Sequence, residues 1–355
     1  MPAPTLPEHF EEQAQWCDRL GSPFTAALLR AMKLDLENHG VIKKLVGDWP
    51  GNPRADALGL RLAGALHFGV LSGMSAPLAS VYPEGQIFRP MEEVWAVASA
   101  FLKTNAGWVR TFLQMPPQTN ETRRAFMLLI GLKAIAKRFE RPIHFLELGA
   151  SAGLNQNFDA FFYEAGDWQW GEPSSDMKVS TTWTGPAPDL SAPLVLHERK
   201  ACDQNPLDLS DEETRLHLKS DIWADQPERL SRFDAAADLA IARNTHVDRA
   251  DAALWLAREL KSRPSGVTTV IFHSVFFQYP PLETRQRITR LIEDEARFAT
   301  EASPIVWLRY EPEILWNRNA PPLALGMTCD MRVWPGDEHV TFARSDGHVR
   351  EVQAL

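Results

Sequence analysis

The chain changes its periodicity at Arg141-Pro142, and that change constrains the fold class more than any other feature. Beyond it, apolar runs of strand length recur at Ile143 to Gly149 (IHFLELG), Leu194 to Glu198 (LVLHE), Thr268 to Ser274 (TTVIFHS) and Pro304 to Tyr310 (PIVWLRY). A weaker run covers Thr245 to Arg249. Helix-capable segments separate them, at Asp225 to Ile241, Asp251 to Leu260 and Leu282 to Thr300. Apolar runs alternating with helices predict an α/β domain with a mostly parallel, doubly wound sheet. The tail differs. LALGMTCDMRVW, HVTFAR and HVREVQ, with a Ser345-Asp346-Gly347 turn between the last two, predict antiparallel strands closing one edge. The Trp- and Pro-rich stretch Tyr163 to Pro193 reads as an irregular insertion.

From residue 7 to about 140 the periodicity is helical throughout. Ser22-Pro23, Asn52-Pro53 and Arg89-Pro90 each put a proline where a helix can start, and Ser22 and Asn52 offer capping side chains. Leu58, Leu62, Ala65, Leu66 and Gly69 recur at spacings of three and four, as do Val94, Val97, Ala98 and Phe101. This gives two domains, a helical one over 1–140 and an α/β one over 141–355, in a chain of 355 residues. A net charge of −9 argues against a dedicated nucleic-acid binder and favours small or soluble substrates. Cys17, Cys202 and Cys329 lie far apart with no CxxC pairing, which suggests reduced thiols in a cytoplasmic protein. The first residues lack a basic, then apolar, leader, and no apolar run approaches the ~18 residues of a membrane span.

The most informative segment is Glu147-Leu148-Gly149-Ala150-Ser151-Ala152-Gly153-Leu154-Asn155, at the exit of the first apolar run, with a helix expected from there to about Phe162. Small residues at such a junction let a ligand approach the backbone closely, and the N–H groups of a helix start attract negative groups. An acid two residues before the first glycine suits a ligand with a cationic amino-acid end better than a pyrophosphate. Gly149-Ala150-Ser151-Ala152-Gly153 also satisfies G-x-S-x-G, the nucleophile elbow of α/β-hydrolases, with Asp251 and His339 or His348 following in a suitable order. The same small residues could equally serve to pack helix against strand.

This loop resembles the first motif of the Rossmann-like S-adenosylmethionine-dependent methyltransferases, an acid, any residue, then Gly-x-Gly-x-Gly, with Ser151 in the middle glycine's place. Beyond the loop, the chain resembles a bacterial family of unknown function with a helical N-terminal half and a methyltransferase-like C-terminal half. Gln118-Thr119-Asn120-Glu121, ELGASAGLN, Asp203-Gln204-Asn205-Pro206-Leu207-Asp208, Arg249-Ala250-Asp251-Ala252, Phe272-His273-Ser274 and Gln278-Tyr279 carry that resemblance. It implies a Rossmann-like seven-strand sheet and S-adenosylmethionine as cofactor, with Glu147, Gly149, Ala150, Ser151, Gly153 and Asn155 around it. A serine hydrolase using Ser151, or a non-catalytic cofactor-binding or scaffold protein, stand as alternatives.

In such domains an acid at the end of the second strand takes the ribose hydroxyls. Asp203 is favoured over Glu198, because the Asn and Pro after it mark the strand's exit. Asp251 reads either as an adenine contact, as the resemblance implies, or as the N-cap of the next helix. His273 ends the strongest apolar run, with Gln278 and Tyr279 just beyond it, so these three should face a reaction centre, with His273 a candidate general base. Thr119 and Asn120 read as a helix cap, and the resemblance adds a second role for Thr119, Asn120 and Glu121 as a lid over cofactor or substrate. Neither His144, His246 nor any cluster of His and acids has metal-ligand spacing.

Overall fold

The computed structural model describes residues 4–118, 120–316 and 326–355. They fall into two compact units, Met1–Asn120 with Leu209–Asp234, and Glu121–Asp208 with Ala235–Leu355.

The first unit is helical, with helices Leu6–Arg19, Pro23–Glu37, Val41–Val46, Leu58–Leu71, Ala76–Ala79, Met91–Thr104, Ala106–Phe112 and Glu212–Ser220. Phe10, Leu29, Met32, Leu62, Leu66, Phe101 and Phe112 meet in one apolar core. Helices start at Pro23 and directly after Pro90, where the prolines mark them, but the capping side chains act differently from their sequence reading. Ser22 does not cap its own helix; Asp225, about 200 residues on, accepts from the Phe24 N–H at 2.9 Å and from the Ser22 hydroxyl at 2.5 Å. Asn52 caps only a turn, taking the Arg54 and Ala55 N–H groups, and the helix begins at Leu58. Residues 209–234, which come after the second apolar run, belong to this unit.

The second unit holds the sheet. In chain order its strands are β1 (Ile143–Leu148), β2 (Phe162–Ala165), β3 (Trp168–Trp170), β4 (Lys178–Ser180), β5 (Thr182–Thr184), β6 (Leu196–Asp203), β7 (Asp248–Arg249), β8 (Thr268–Ser274), β9 (Ile305–Pro312), β10 (Met327–Trp334), β11 (Glu338–Ser345) and β12 (Glu351–Ala354). Nine of them form a single sheet, ordered β5-β12-β11-β10-β9-β8-β1-β6-β7, rather than the seven expected. From β7 to β9 all pairings are parallel, and β9 to β12 is an antiparallel meander. The expected insertion is itself stranded: β2, β3 and β4 make a small separate sheet, while β5 pairs in parallel with β12 at the edge. The expected strand over Thr245 to Arg249 shrinks to two residues, and of the expected tail run, Leu323 to Leu325 lie outside the described residues.

Both faces of the sheet are covered. Trp307 and Leu308 are consecutive on β9 and so point to opposite faces. Trp307 joins Leu146, Leu148 and Ile271 in a core with helices Ala252–Lys261 and Leu282–Ala296. Leu308 meets Gly131 of helix Ala125–Phe139 so closely that a Cβ there would lie 2.6 Å from its Cδ1. All six residues of β1 and six of seven in β8 are buried, as a two-sided cover requires. The chain runs out from β1 to β6 on one side and to β8 on the other, so the order reverses between β1 and β8. Ligands of open α/β sheets bind beyond the carboxyl ends of the strands at such a switch point.

Candidate functional site

The loop after β1 turns sharply. Gly149, Ser151 and Gly153 all have φ between 55° and 73°, and for serine that left-handed conformation is uncommon. The N–H groups of Gly149 and Ala150 both reach the Cys202 carbonyl, at 2.9 and 3.1 Å, pinning the loop to β6. The Ser151 N–H donates to Asp203 Oδ2 at 2.9 Å, while Asp203 Oδ1 takes the Asn205 N–H at 2.9 Å. The loop leads into a kinked 3-10 helix, Leu154–Ala160, instead of the expected α-helix to Phe162; Asn157 leaves helical geometry inside it.

Both glycines are filled by protein. A Cβ on Gly149 would sit 2.2 Å from the Phe276 ring, and one on Gly153 would meet Gln156 and Val247, each at 2.8 Å. Close packing therefore accounts for these two positions without a ligand. Glu147 is different. It is 4% exposed, faces away from the Leu146 and Leu148 core, and its Oε2 has no hydrogen-bond partner among the described residues. Burial, and secondarily the Asp203 charge, push its carboxyl up to about 8. Asn155 Oδ1 is likewise buried without a donor, while its Nδ2 lies 3.4 Å from the Glu121 carbonyl. Two buried oxygens without a hydrogen-bond partner thus border one loop.

The other candidates are more scattered. Asp203 is the last residue of β6 and touches the loop, whereas Glu198 is its third residue, paired with His144 far from the carboxyl end. Asp251 caps helix Ala252–Lys261, its Oδ1 taking the Ala253 and Leu254 N–H groups at 3.0 Å each. Asn120 is not the helix cap expected: Glu121 caps a 3-10 turn, Thr122–Arg124, through the Arg123 N–H, and that turn leads into helix Ala125–Phe139. Thr119 lies outside the described residues.

His273 does not present a free nitrogen to the loop. It is fully buried, on the face of the sheet opposite Glu147. Its Nε2 accepts from Trp307 Nε1–H at 3.0 Å, so its Nδ1–H donates to Glu311 at 2.6 Å. The lone pair a general base needs is spent on Trp307. Gln278 and Tyr279 are exposed in the turn after β8, Tyr279 to 72%.

Glu311 is the organising residue that the sequence reading missed. Fully buried on β9, its Oε1 also takes the N–H groups of Phe276 and Phe277, at 2.8 and 3.0 Å. Those bonds hold the turn after β8, including Val275 at φ 50°, a strained value for a β-branched residue. The turn in turn seats the Phe276 ring on Gly149. The available signal was a carboxylate directly following an apolar run.

Fold and site together define an α/β protein with a helical first unit and a tight loop at the sheet's switch point. The chain belongs to a family of uncharacterized proteins conserved in bacteria, DUF2332, whose model matches residues 7–353. No curated protein and no solved structure matches it. Among the described residues no helix is long and apolar enough to cross a membrane.

Proposed function

We propose that the second unit binds S-adenosylmethionine at the loop after β1 and transfers its methyl group to a small or soluble acceptor. The observation that carries this reading is Glu147, a buried carboxyl with an orphaned oxygen near the carboxyl end of β1. An ammonium group is the partner that would let this buried acid ionise, because a buried carboxylate is tolerated only when it is paired. Asn155 Oδ1 would accept from the same group, and Asp203 stands at the end of the neighbouring strand, where ribose hydroxyls are taken in related sheets. The strand order β7-β6-β1-β8-β9 supports a Rossmann-like, methyltransferase-type sheet, although the meander from β9 to β12 departs from a fully wound one. When bound, the cofactor supplies a methyl group on a positive sulfur. The chain's own work is then to bind and align, which needs no strong acid or base.

Calorimetry with S-adenosylmethionine and its demethylated product tests this reading. Wild type should bind, and cofactor at 100 times its dissociation constant should raise stability by about 2.7 kcal/mol. Glu147→Gln should weaken binding at least about tenfold. Absence of binding at millimolar cofactor sinks the proposal.

One observation favours the hydrolase alternative: Ser151 sits at φ 55° between strand and helix, as an elbow nucleophile does. Against it, the histidine at the end of the adjacent strand has both ring nitrogens engaged. Ser151→Ala separates the two. A cofactor loop keeps most of its affinity, whereas a nucleophile loses at least ~10³-fold of its turnover and its labelling by a fluorophosphonate.

A further inference from the structure

Beyond the carboxyl ends of β8 and β9, a pocket of about 360 Å³ opens between the first turns of helix Leu282–Ala296 and two aromatic rings. Phe277 and Trp316 supply its aromatic lining, and Arg285, Gln286, Thr289 and Arg290 of that helix its polar lining. Its size is that of a cleft for a small organic ligand, open to solvent on one side.

The aromatic wall is rigid. Phe277 stacks on His273 at 4.8 Å with 12° between planes, and on Trp316 at 5.1 Å with 29°. The Arg309 guanidinium lies 4.0 Å from the Trp316 ring centroid and is itself fixed by a two-pronged bond to Asp330, at 2.7 and 2.8 Å. Four planar groups thus form a ladder, and the Arg309 charge at its end is already neutralised. The polar lining is not neutralised. Neither the Arg285 nor the Arg290 guanidinium has an ion pair or hydrogen bond to a described residue, and Arg285 Nε is buried without an acceptor. A buried guanidinium N–H left unmade is costly, and its geometry matches a carboxylate fork.

We propose that this pocket is a binding site for a planar aromatic carboxylate, its ring set against the edges of Phe277 and Trp316 and its carboxylate held by Arg285 and Arg290. With their faces taken up in the ladder, Phe277 and Trp316 offer ring edges to the pocket, which meet a flat aromatic body edge to face, and the two arginines select for the negative end. The site is independent of the loop after β1, from which Phe276 and Phe277 separate it, so either proposal can fail without the other.

Titration of the full chain with naphthoate, followed by Trp316 fluorescence and by calorimetry, tests it. Binding in the micromolar to submillimolar range is expected, with naphthalene methanol, the neutral analogue, at least tenfold weaker. Arg285→Gln and Arg290→Gln should each weaken naphthoate at least tenfold without lowering the thermal midpoint, and Trp316→Leu should abolish the fluorescence response. Equal affinity for the neutral analogue overturns the proposal. So does undiminished affinity in both arginine variants, or no binding of naphthoate at millimolar concentration.

Discussion

The Asp203 carboxylate accepts the backbone N–H of Ser151 at 2.9 Å, joining the end of β6 to the tightest point of the loop after β1. A serine in the left-handed region costs about 1–2 kcal/mol, so something must hold it there. Asp203 does so while also taking the Asn205 N–H. Asp203→Ala should therefore lower stability by about 1.5–3 kcal/mol, read by urea unfolding, and weaken S-adenosylmethionine about tenfold or more. Asp203→Asn keeps one acceptor but sets its NH2 against the second backbone N–H, so it should recover only part of the stability. Unchanged cofactor affinity in Asp203→Ala would move any ribose contact elsewhere on the loop.

Glu311 predicts a larger effect. Removing its side chain in Glu311→Ala leaves His273 Nδ1–H and the Phe276 and Phe277 N–H groups unsatisfied in a dry interior. The expected loss is about 3–5 kcal/mol by chemical denaturation. Because the same bonds seat Phe276 on Gly149, cofactor affinity should fall as well. A variant of wild-type stability would mean that the turn after β8 is held by other contacts.

The central strands were legible in the sequence because each is buried on both faces and reads as an unbroken apolar run; β1 and β8 match their runs to within one residue. The edge was not. β2 to β5 are three or four residues each, too short for a period of two to show between prolines. At the site, Asp203 is visible as an acid at a strand exit, and its contact with the loop follows from strand adjacency. Long-range pairings leave no such trace. The roles of Glu311 and Asp225 depend on partners 34 to 38 and about 200 residues away.

Asp225 makes that point testable. It caps helix Pro23–Glu37 from a distant part of the sequence through the Phe24 N–H, and it also binds the fully buried Ser22 hydroxyl. Asp225→Ala should cost about 2–4 kcal/mol, more than an exposed cap, since both donors are left buried. Ser22→Ala removes one of the two bonds and should cost less. A loss below about 1 kcal/mol in Asp225→Ala, measured by thermal unfolding, would show that water replaces the carboxylate.

Glu147 carries the pH prediction. Its carboxyl holds a proton up to about pH 8 in the folded chain, chiefly because burial disfavours the charge, whereas in the unfolded chain it lets go near 4.5. Between those values the folded state binds more protons than the unfolded one. Stability from this group is thus complete below pH 4.5 and is lost as pH rises towards 8, with a limiting slope of about 1.4 kcal/mol per pH unit. Asp221, pushed up to about 7 by burial in the first unit, adds a slope of the same sign, so the raw pH profile is not diagnostic. The difference between wild type and Glu147→Gln is, because Asp221 is common to both. Relative to wild type, the glutamine variant should gain stability steadily from pH 5 to 8 and level off above. A difference that stays flat across that window would mean that Glu147 is ionised in the folded chain and already paired, and the case for a cationic ligand beside it would fall.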